Sequence, residues 1–243
     1  MELEFAEVDL AGRDTAVLAC ATLRDYIAAA QQSCGTSHPV VFLDSNLHVD
    51  PDLMRTYILE AINALPKSIE TVLVAMGFCG GSWKDVACQR KLVLPRVDDC
   101  VSLVMTVCDE VCIDTKVKGH MYEFGTEYEG FSIGGIHDEL VEQYGPEKGQ
   151  MVFDMMFVGY SHVDIVDTGV YDCREAGFLE NARRDAELID GQLDFVEGSN
   201  IMLEKLVSGR WDDQFLVVEP GVTITQDMLF GQWRRKHRKR EPK

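Results

Sequence analysis

Between residues 16 and 108 the chain alternates short apolar runs with stretches of helical spacing, and this alternation strongly constrains the fold. The apolar runs are typical of buried strands and cover residues 16–20, 40–44, 71–76 and 92–95. The stretches that follow them are predicted to be helical and cover residues 22–34, 53–65, 83–89 and 101–108. Strands that alternate with helices usually form a parallel sheet. We therefore predict an α/β fold with a Rossmann-like, mostly parallel sheet and helices on both faces.

The second half of the chain continues the pattern after an irregular segment. Residues 109–150 are rich in Gly, Tyr and Glu, and we predict an insertion or lid there, with at most a small antiparallel element. Further strands are expected at 162–169, 193–198 and 211–221. We predict a single α/β domain over residues 1–233, followed by a basic disordered tail at 234–243.

The charge and cysteine content restrict the classes of partner and compartment. A net charge of −18 would repel phosphates, so we expect no nucleic-acid partner. No apolar run approaches the length of a membrane span, and the acidic N-terminus does not look like a signal peptide. We therefore expect a cytoplasmic protein without a membrane partner. In that setting the eight cysteines argue against a disulfide framework.

Several metal-binding residue types fall at the predicted strand ends. Cys20 ends the first strand, and His48, Cys79 and Cys100 follow the next three. The carboxyl ends of parallel strands share one edge of a sheet, so these side chains are expected to lie close together. Thiolates and imidazole suit zinc, whereas thiolates suit iron–sulfur clusters. We predict a metal site formed by Cys20, Cys79 and Cys100, with His48 or Cys173 as an additional ligand.

Two other interpretations of these cysteines stay open. They are compatible with small buried residues that only pack at strand ends, because free cysteine is often buried. Cys79 also suits a reactive nucleophile, since the N-terminus of a helix at 83–89 would lower its pKa. The neighbouring glycines Gly77, Gly80 and Gly81 would let the backbone approach a cofactor closely.

Two acidic segments are further candidates for the site. Asp99, next to Cys100, would serve as an acid–base group, orient a ligand histidine or cap the following helix. The turn formed by Asp167, Thr168 and Gly169 ends a predicted strand, and it suits a phosphate or another small anion of a cofactor.

Several segments together resemble a family known only as a domain of unknown function in bacteria and archaea, especially anaerobes and methanogens. They are ACATLRDYI, LDSNLHVDPDLM, MGFCGG, LVLPRVDDC, DTG and WDDQFLVVEPG, and they span most of residues 16–221. The family pattern falls on Cys20, His48, Cys79, Arg96, Asp99 and Cys100. The turn GFCGGSW departs from the more usual GLCGNG of the family, which leaves the substrate open.

The resemblance implies a role in methyl metabolism, because some family members are encoded near corrinoid-dependent methyltransferases. It suggests a metal- or iron–sulfur-binding protein of one-carbon metabolism, with zinc or a cluster and a corrinoid as candidate cofactors. Cys79, Asp99 and Arg96 would then be catalytic or contact a small-molecule substrate. A corrinoid protein or a methyltransferase is the implied partner. The alternatives are a noncatalytic corrinoid- or tetrapyrrole-binding accessory protein and a metal-free enzyme with Cys79 as nucleophile.

Overall fold

The computed structural model describes residues 4–5, 13–109, 116–125 and 132–231. The described residues form nine strands and seven α-helices. The strands are β1 (Glu4–Phe5), β2 (Thr15–Cys20), β3 (Val40–Leu43), β4 (Thr71–Ala75), β5 (Lys91–Pro95), β6 (His120–Glu123), β7 (His162–Asp167), β8 (Gln192–Glu197) and β9 (Phe215–Val218). The helices are α1 (Arg24–Cys34), α2 (Pro51–Ala64), α3 (Cys100–Val104), α4 (Ile133–Tyr144), α5 (Pro146–Met156), α6 (Ala176–Leu188) and α7 (Ile201–Ser208).

The chain forms two compact units, each with a sheet of its own. Unit 1 consists of Met1–Asp114 and Asn200–Lys243, and unit 2 consists of Thr115–Ser199. Both sheets are mostly or wholly parallel and have helices around them, which confirms the predicted α/β class. The single domain over 1–233 stays a prediction, and the basic tail at 234–243 lies outside the described residues.

The sheet of unit 1 has the strand order β1–β3–β2–β4–β5–β9. The four central strands are parallel, whereas β1 and β9 pair antiparallel at the two edges. From β2 the chain passes first to β3 on one side and then to β4 on the other, so the winding reverses at β2. In open α/β sheets, ligands bind beyond the carboxyl ends of the strands at such a reversal.

Local sequence signals explain where the helices of unit 1 begin and end. The Asp50 carboxylate accepts the backbone N–H groups of Asp52 and Leu53, each at 3.0 Å, and Pro51 opens α2. Gly35 adopts φ 65° and ends α1, as the sequence predicts. Helix α7 packs against α1 and against β4 and β5, which helps to bury the centre of the sheet.

Two predicted helices of unit 1 differ from the structure. Residues 82–85 form turns instead of a helix, and Asp85 takes a left-handed conformation with φ 64° that a helix excludes. Helix α3 ends at Val104 instead of continuing to residue 108. Cys108 is half-buried and disulfide-bonded. The other described cysteines are free, as the sequence predicts.

Unit 2 contains a second parallel sheet, which the sequence analysis did not separate from the first. Strand β7 lies between β6 and β8 and is parallel to both. Strand β6, the strand that the structure describes within residues 109–150, is parallel and not antiparallel, whereas a lid role for this segment stays a prediction. The core residues pack helices α4, α5 and α6 on this sheet, and they include Ile133, Phe153, Val163 and Ala186.

Within these described ranges, no helix combines the length and apolar character that crossing a membrane requires.

Candidate metal centre

Three of the predicted ligands meet beyond the carboxyl ends of the strands of unit 1. Cys20 is the last residue of β2, His48 follows β3, and Cys100 begins α3 after β5. One ligand atom from each of them lies within 4.8 Å of the other two. The two thiols are buried, and His48 is half-buried. The parallel strand ends thus bring together side chains that are up to 80 positions apart in the sequence.

Short polar contacts hold Cys20 and His48 in place. The Cys20 Sγ lies 3.1 Å from the Thr22 Oγ1, at hydrogen-bond distance. His48 lies in the 3-10 turn Ser45–Val49, where its Nδ1 lies 2.7 Å from the Ser45 carbonyl oxygen. The carbonyl can only accept, so Nδ1 carries the proton and Nε2 is the ring nitrogen suited to bind a metal ion. A histidine whose other ring nitrogen bonds a carbonyl is typical of metal sites.

The loops after β4 and β5 are joined by backbone hydrogen bonds, which bring Cys79 next to Cys100. The N–H of Phe78 donates to the Val97 carbonyl at 3.0 Å, and the N–H of Cys79 donates to the Asp98 carbonyl at 2.8 Å. A Cβ on Gly77 would lie 2.4 Å from the Asp99 Cα, so only glycine permits this approach.

The three thiols interact with one another in a row, with Cys100 in the middle. The hydrogen bond with Cys100, followed by burial, raises the pKa of Cys20 well above its usual value. At Cys100, the hydrogen bond with Cys20 lowers the pKa, but the hydrogen bond with Cys79 and burial raise it to a net value well above normal. A backbone hydrogen bond from Gly77 to Cys100 favours the thiolate. A bound divalent cation would favour thiolates at all of these positions.

Cys79 is hydrogen-bonded to Cys100 but is not among the three residues whose ligand atoms lie within 4.8 Å of one another, and its role as a metal ligand stays a prediction. It is 8% exposed, and its backbone has φ 43°, an uncommon conformation for a residue with a side chain. The helix predicted at 83–89 is wrong, since residues 82–85 form turns and residues 86–88 have no regular structure, whereas a nucleophilic role for Cys79 stays a prediction. Cys173, the other candidate ligand, lies in unit 2, where the Arg174 guanidinium donates to its Sγ at 3.2 Å.

Asp99 and Arg96, the other candidate catalytic residues, have clear structural partners. The Asp99 Oδ1 accepts the N–H of Ser102 at 2.8 Å and its hydroxyl at 3.0 Å, so Asp99 caps α3. The Arg96 guanidinium donates to the backbone carbonyls of Phe215, Met228 and Leu229. Burial lowers the pKa of Arg96, although the charge of a nearby carboxylate opposes this effect. Catalytic roles for the two residues stay predictions.

The candidate cofactor-binding glycines also have packing roles. Gly80 and Gly81 take φ 67° and 102°, and a Cβ on Gly80 would lie 2.9 Å from the Pro51 ring. These positions form the tight turn that carries Cys79. Cofactor binding by Gly77, Gly80 and Gly81 stays a prediction.

The turn formed by Asp167, Thr168 and Gly169 belongs to unit 2 and satisfies its own polar groups. The Arg174 guanidinium donates to the Asp167 carboxylate at 2.8 Å, which lowers the pKa of Asp167. The Thr168 hydroxyl accepts the N–H of Val170 at 3.4 Å, and Gly169 takes φ 71°. An anion-binding role for this turn stays a prediction.

Three residues that support the centre were missed by the sequence analysis. Thr22 contacts the Cys20 thiol, the Ser45 carbonyl orients His48, and the Arg55 guanidinium donates to the Gly81 carbonyl at 3.0 Å. A hydroxyl two residues beyond a strand-end cysteine was an available signal for Thr22. The other two contacts depend on loop and helix geometry that residue types do not reveal.

Comparisons with known proteins identify the family of the chain but do not indicate a function. No curated protein and no solved structure is significantly similar to the chain. The family described as "Protein of unknown function (DUF1638)" matches residues 42–207, which include His48, Cys79 and Cys100. This match confirms the resemblance to a family of unknown function. The chain therefore belongs to the DUF1638 family.

Proposed function

We propose that the protein binds a zinc ion through Cys20, His48 and Cys100 and acts in corrinoid-linked one-carbon metabolism. The observation that carries the proposal is the meeting of two buried thiols and an imidazole within 4.8 Å at the strand ends. Cys79, hydrogen-bonded to Cys100, would be a fourth ligand or leave the fourth position to a substrate.

The spacing and type of the ligand atoms favour a single ion over a cluster. Tetrahedral zinc with bonds of about 2.0–2.3 Å holds its ligand atoms roughly 3.3–3.8 Å apart, so inward side-chain movements of about 1 Å would suffice. The ligands of an iron–sulfur cluster bind different iron atoms, and most such clusters use four cysteines. The imidazole together with two close thiols therefore fits zinc better, although iron remains an outcome that elemental analysis distinguishes.

The methyl-transfer part of the proposal rests on the family resemblance together with the chemistry of the ligand set. When bound, zinc would act as a Lewis acid that keeps a substrate thiol deprotonated as a methyl acceptor. The chain would contribute the position of this acceptor, since Gly77 and Gly80 bring the backbone close to Cys79 and Cys100. The buried setting would limit access of water to the thiolate.

Metal content of the purified chain tests the central claim. We expect about one zinc ion per chain, and we expect Cys100→Ser to lower that content at least tenfold, because structural and catalytic zinc sites need three or four protein ligands. Cys88→Ser is the matched control, since the Cys88 thiol is half-buried and bonds the Arg90 carbonyl instead of the centre. Zinc that is equally lost in both variants, or absent from the wild type, would contradict the proposal.

The activity is tested separately with methylcobalamin and a small thiol. We expect the zinc-loaded wild type to accelerate loss of the methylcobalamin absorbance, and the Cys100→Ser variant to lack this effect. Binding of the corrinoid without turnover would instead support the noncatalytic accessory protein. A metal-free nucleophile at Cys79 would show up as catalysis that persists after zinc is removed by a chelator.

A further inference from the structure

Unit 2 contains a pocket of its own, formed where β6 ends and where α4 and α6 begin. Its volume is about 420 Å³, which is within the usual range for small-molecule sites. Glu123 from β6 and Asp185 from α6 form its buried side, and Ser132 and Phe178 contribute to the wall. None of these residues was selected by the sequence analysis.

The carboxyl groups of Glu123 and Asp185 are buried together and share a hydrogen bond. Their residues are 7% and 2% exposed. The Asp185 oxygens accept the N–H groups of Ile133 at 2.9 Å and Gly134 at 2.8 Å, so both have donors from the backbone. The Glu123 Oε1 is different, because no donor among the described residues bonds it. A buried acceptor without a donor is costly, and this one belongs to a residue that lines a pocket.

The start of α4 does not act as an anion site, because the protein's own groups occupy its N–H groups. Asp185 takes those of Ile133 and Gly134, and the Ser132 hydroxyl takes that of Gly135 at 2.9 Å. A Cβ on Gly134 would lie 2.8 Å from the Asp185 Oδ1, so the glycine leaves room for this carboxylate. The anion that this helix end favours is therefore already supplied from within unit 2.

The charges around the pocket favour a cation. Asp138 and Glu175 line it in addition to the carboxyl pair, whereas Arg184 is the sole basic residue among the described residues of the lining. The Arg184 guanidinium pairs with the Asp138 carboxylate at 2.5 Å, and its charge also lowers the pKa of Asp185, so one basic group faces four acidic residues. Among the described residues, these acids do not provide three ligand atoms close enough for a metal ion. An organic cation with N–H donors fits better.

We propose that this pocket binds a small aliphatic primary amine as its ammonium ion, which donates to the Glu123 Oε1 beside Asp185. The alkyl part would lie against the Phe178 ring, the aromatic surface of the pocket. Burial and the neighbouring Asp185 charge raise the pKa of Glu123 to about 8. At neutral pH Glu123 is therefore largely protonated, and binding of an ammonium ion displaces that proton. This site is independent of the metal centre of unit 1.

Isothermal titration calorimetry of the full chain with n-butylamine tests the proposal, with n-butanol as the neutral isostere. We expect saturable binding of one amine per chain and none of the alcohol. Glu123→Gln should weaken binding at least about tenfold, as expected for loss of a hydrogen bond to a charged group. The control Glu180→Gln, which makes the same substitution on an exposed part of α6 outside the pocket, should bind as the wild type does.

Two further measurements test amine binding on the wild-type protein and therefore do not require any variant to fold. Binding heats measured at one neutral pH in phosphate and in HEPES, which is not a primary amine, should differ, because the released proton is taken up by the buffer. The NMR amide signals of Gly125, Gly135 and Gly177, which line the pocket, should shift with n-butylamine, whereas that of Gly209 in unit 1 should not. Equal binding of n-butanol, equal weakening in both variants, or unchanged pocket glycines would overturn the proposal.

Discussion

At Gly77, an added Cβ would lie 2.4 Å from the Cα of Asp99, closer than two nonbonded carbon atoms can approach. The added Cβ is fixed to the backbone of residue 77 and would meet backbone atoms of Asp99, so no change of side-chain rotamer relieves the clash. We expect Gly77→Ala to lower the free energy of unfolding by about 3 kcal/mol, as in severe overpacking, and to lower zinc content by separating Cys79 from Cys100. Urea denaturation and elemental analysis measure the two effects.

Gly35→Ala provides the matched control for this substitution. Gly35 has φ 65° but open space around its Cα, so alanine costs only the left-handed conformation, about 1 kcal/mol. We expect its zinc content to remain that of the wild type. Equal destabilisation by the two alanines, or full zinc content in Gly77→Ala, would show that close packing at Gly77 does not hold the centre together.

Substitutions of Asp99 test whether its carboxylate acts as a helix cap. Its carboxylate caps α3 through Ser102, and we expect Asp99→Ala to cost about 1 kcal/mol of stability, as for other helix caps. Asparagine also caps well, so Asp99→Asn should restore most of this loss in thermal or urea unfolding. If Asp99→Asn is as unstable as the alanine variant, capping is not what the carboxylate contributes.

The meeting of Cys20, His48 and Cys100 could be predicted from the sequence because each lies next to a strand end. Cys20, His48 and Cys100 follow three apolar runs, and parallel topology places such positions at one edge. The contact that orients His48 could not be predicted, since the Ser45 carbonyl is a backbone group that every residue type carries. Cys79 lies between these cases, because its position was predicted but its exact distance from the ligands depends on a left-handed turn.

At the scale of elements, Arg96 braces the edge of the sheet in unit 1. Its guanidinium bonds the carbonyls of Phe215 at the start of β9 and of Met228 and Leu229 in the π-helix Asp227–Gly231. We expect Arg96→Gln to cost about 2 kcal/mol, because several carbonyls lose a charged donor, while zinc content is unchanged. Thermal unfolding with elemental analysis of the folded protein checks this expectation.

Arg96→Lys serves as the partner variant, since it keeps the charge but loses the planar set of donors. We expect intermediate stability from it. A variant that stays as stable as the wild type but loses zinc or methyl transfer would contradict the brace and support the substrate contact inferred from the family resemblance.

The central strands of unit 1 were predicted closely, whereas the helix predicted at 83–89 is wrong, and packing explains the difference. The runs at 71–76 and 92–95 are nearly fully buried at β4 and β5. Their apolar composition therefore directly indicates buried strands of a parallel sheet. The stretch at 83–89 misled the prediction because Trp83 and Val86 are buried within a turn-rich loop and not along one face of a helix. These apolar residues are spaced as in a helix because they pack into the core from a loop. Apolar spacing alone does not distinguish such a loop from a helix.

At the scale of the whole molecule, the separation into two sheets was not foreseeable from strand patterns. The runs that become β7 and β5 are both short and apolar, and nothing in either run states which strands it pairs with. The pairing partner β6 was hidden in a segment rich in Gly, Tyr and Glu that was interpreted as a lid. Consequently the buried pair Glu123 and Asp185, which joins β6 to α6, could not be predicted either.

That buried pair should make the stability of the whole protein depend on pH. The pKa of Glu123 rises from its usual value near 4.5 to about 8 in the folded state, so between these values the folded chain holds a proton that the unfolded chain has lost. The free energy of unfolding should therefore fall as pH rises through this window, by up to about 1.4 kcal/mol per pH unit, and level off above it.

Glu123→Gln removes this titration while keeping the shape of the side chain. We expect the stability advantage of the wild type over Glu123→Gln to shrink steadily between about pH 5 and pH 8, in urea denaturation at fixed ionic strength. Glu180→Gln should instead follow the wild type at every pH, because Glu180 is exposed on the same helix. Subtracting the two curves cancels the titrating groups that do not interact with Glu123, so parallel curves for the wild type and Glu123→Gln would mean that Glu123 does not retain a proton on folding.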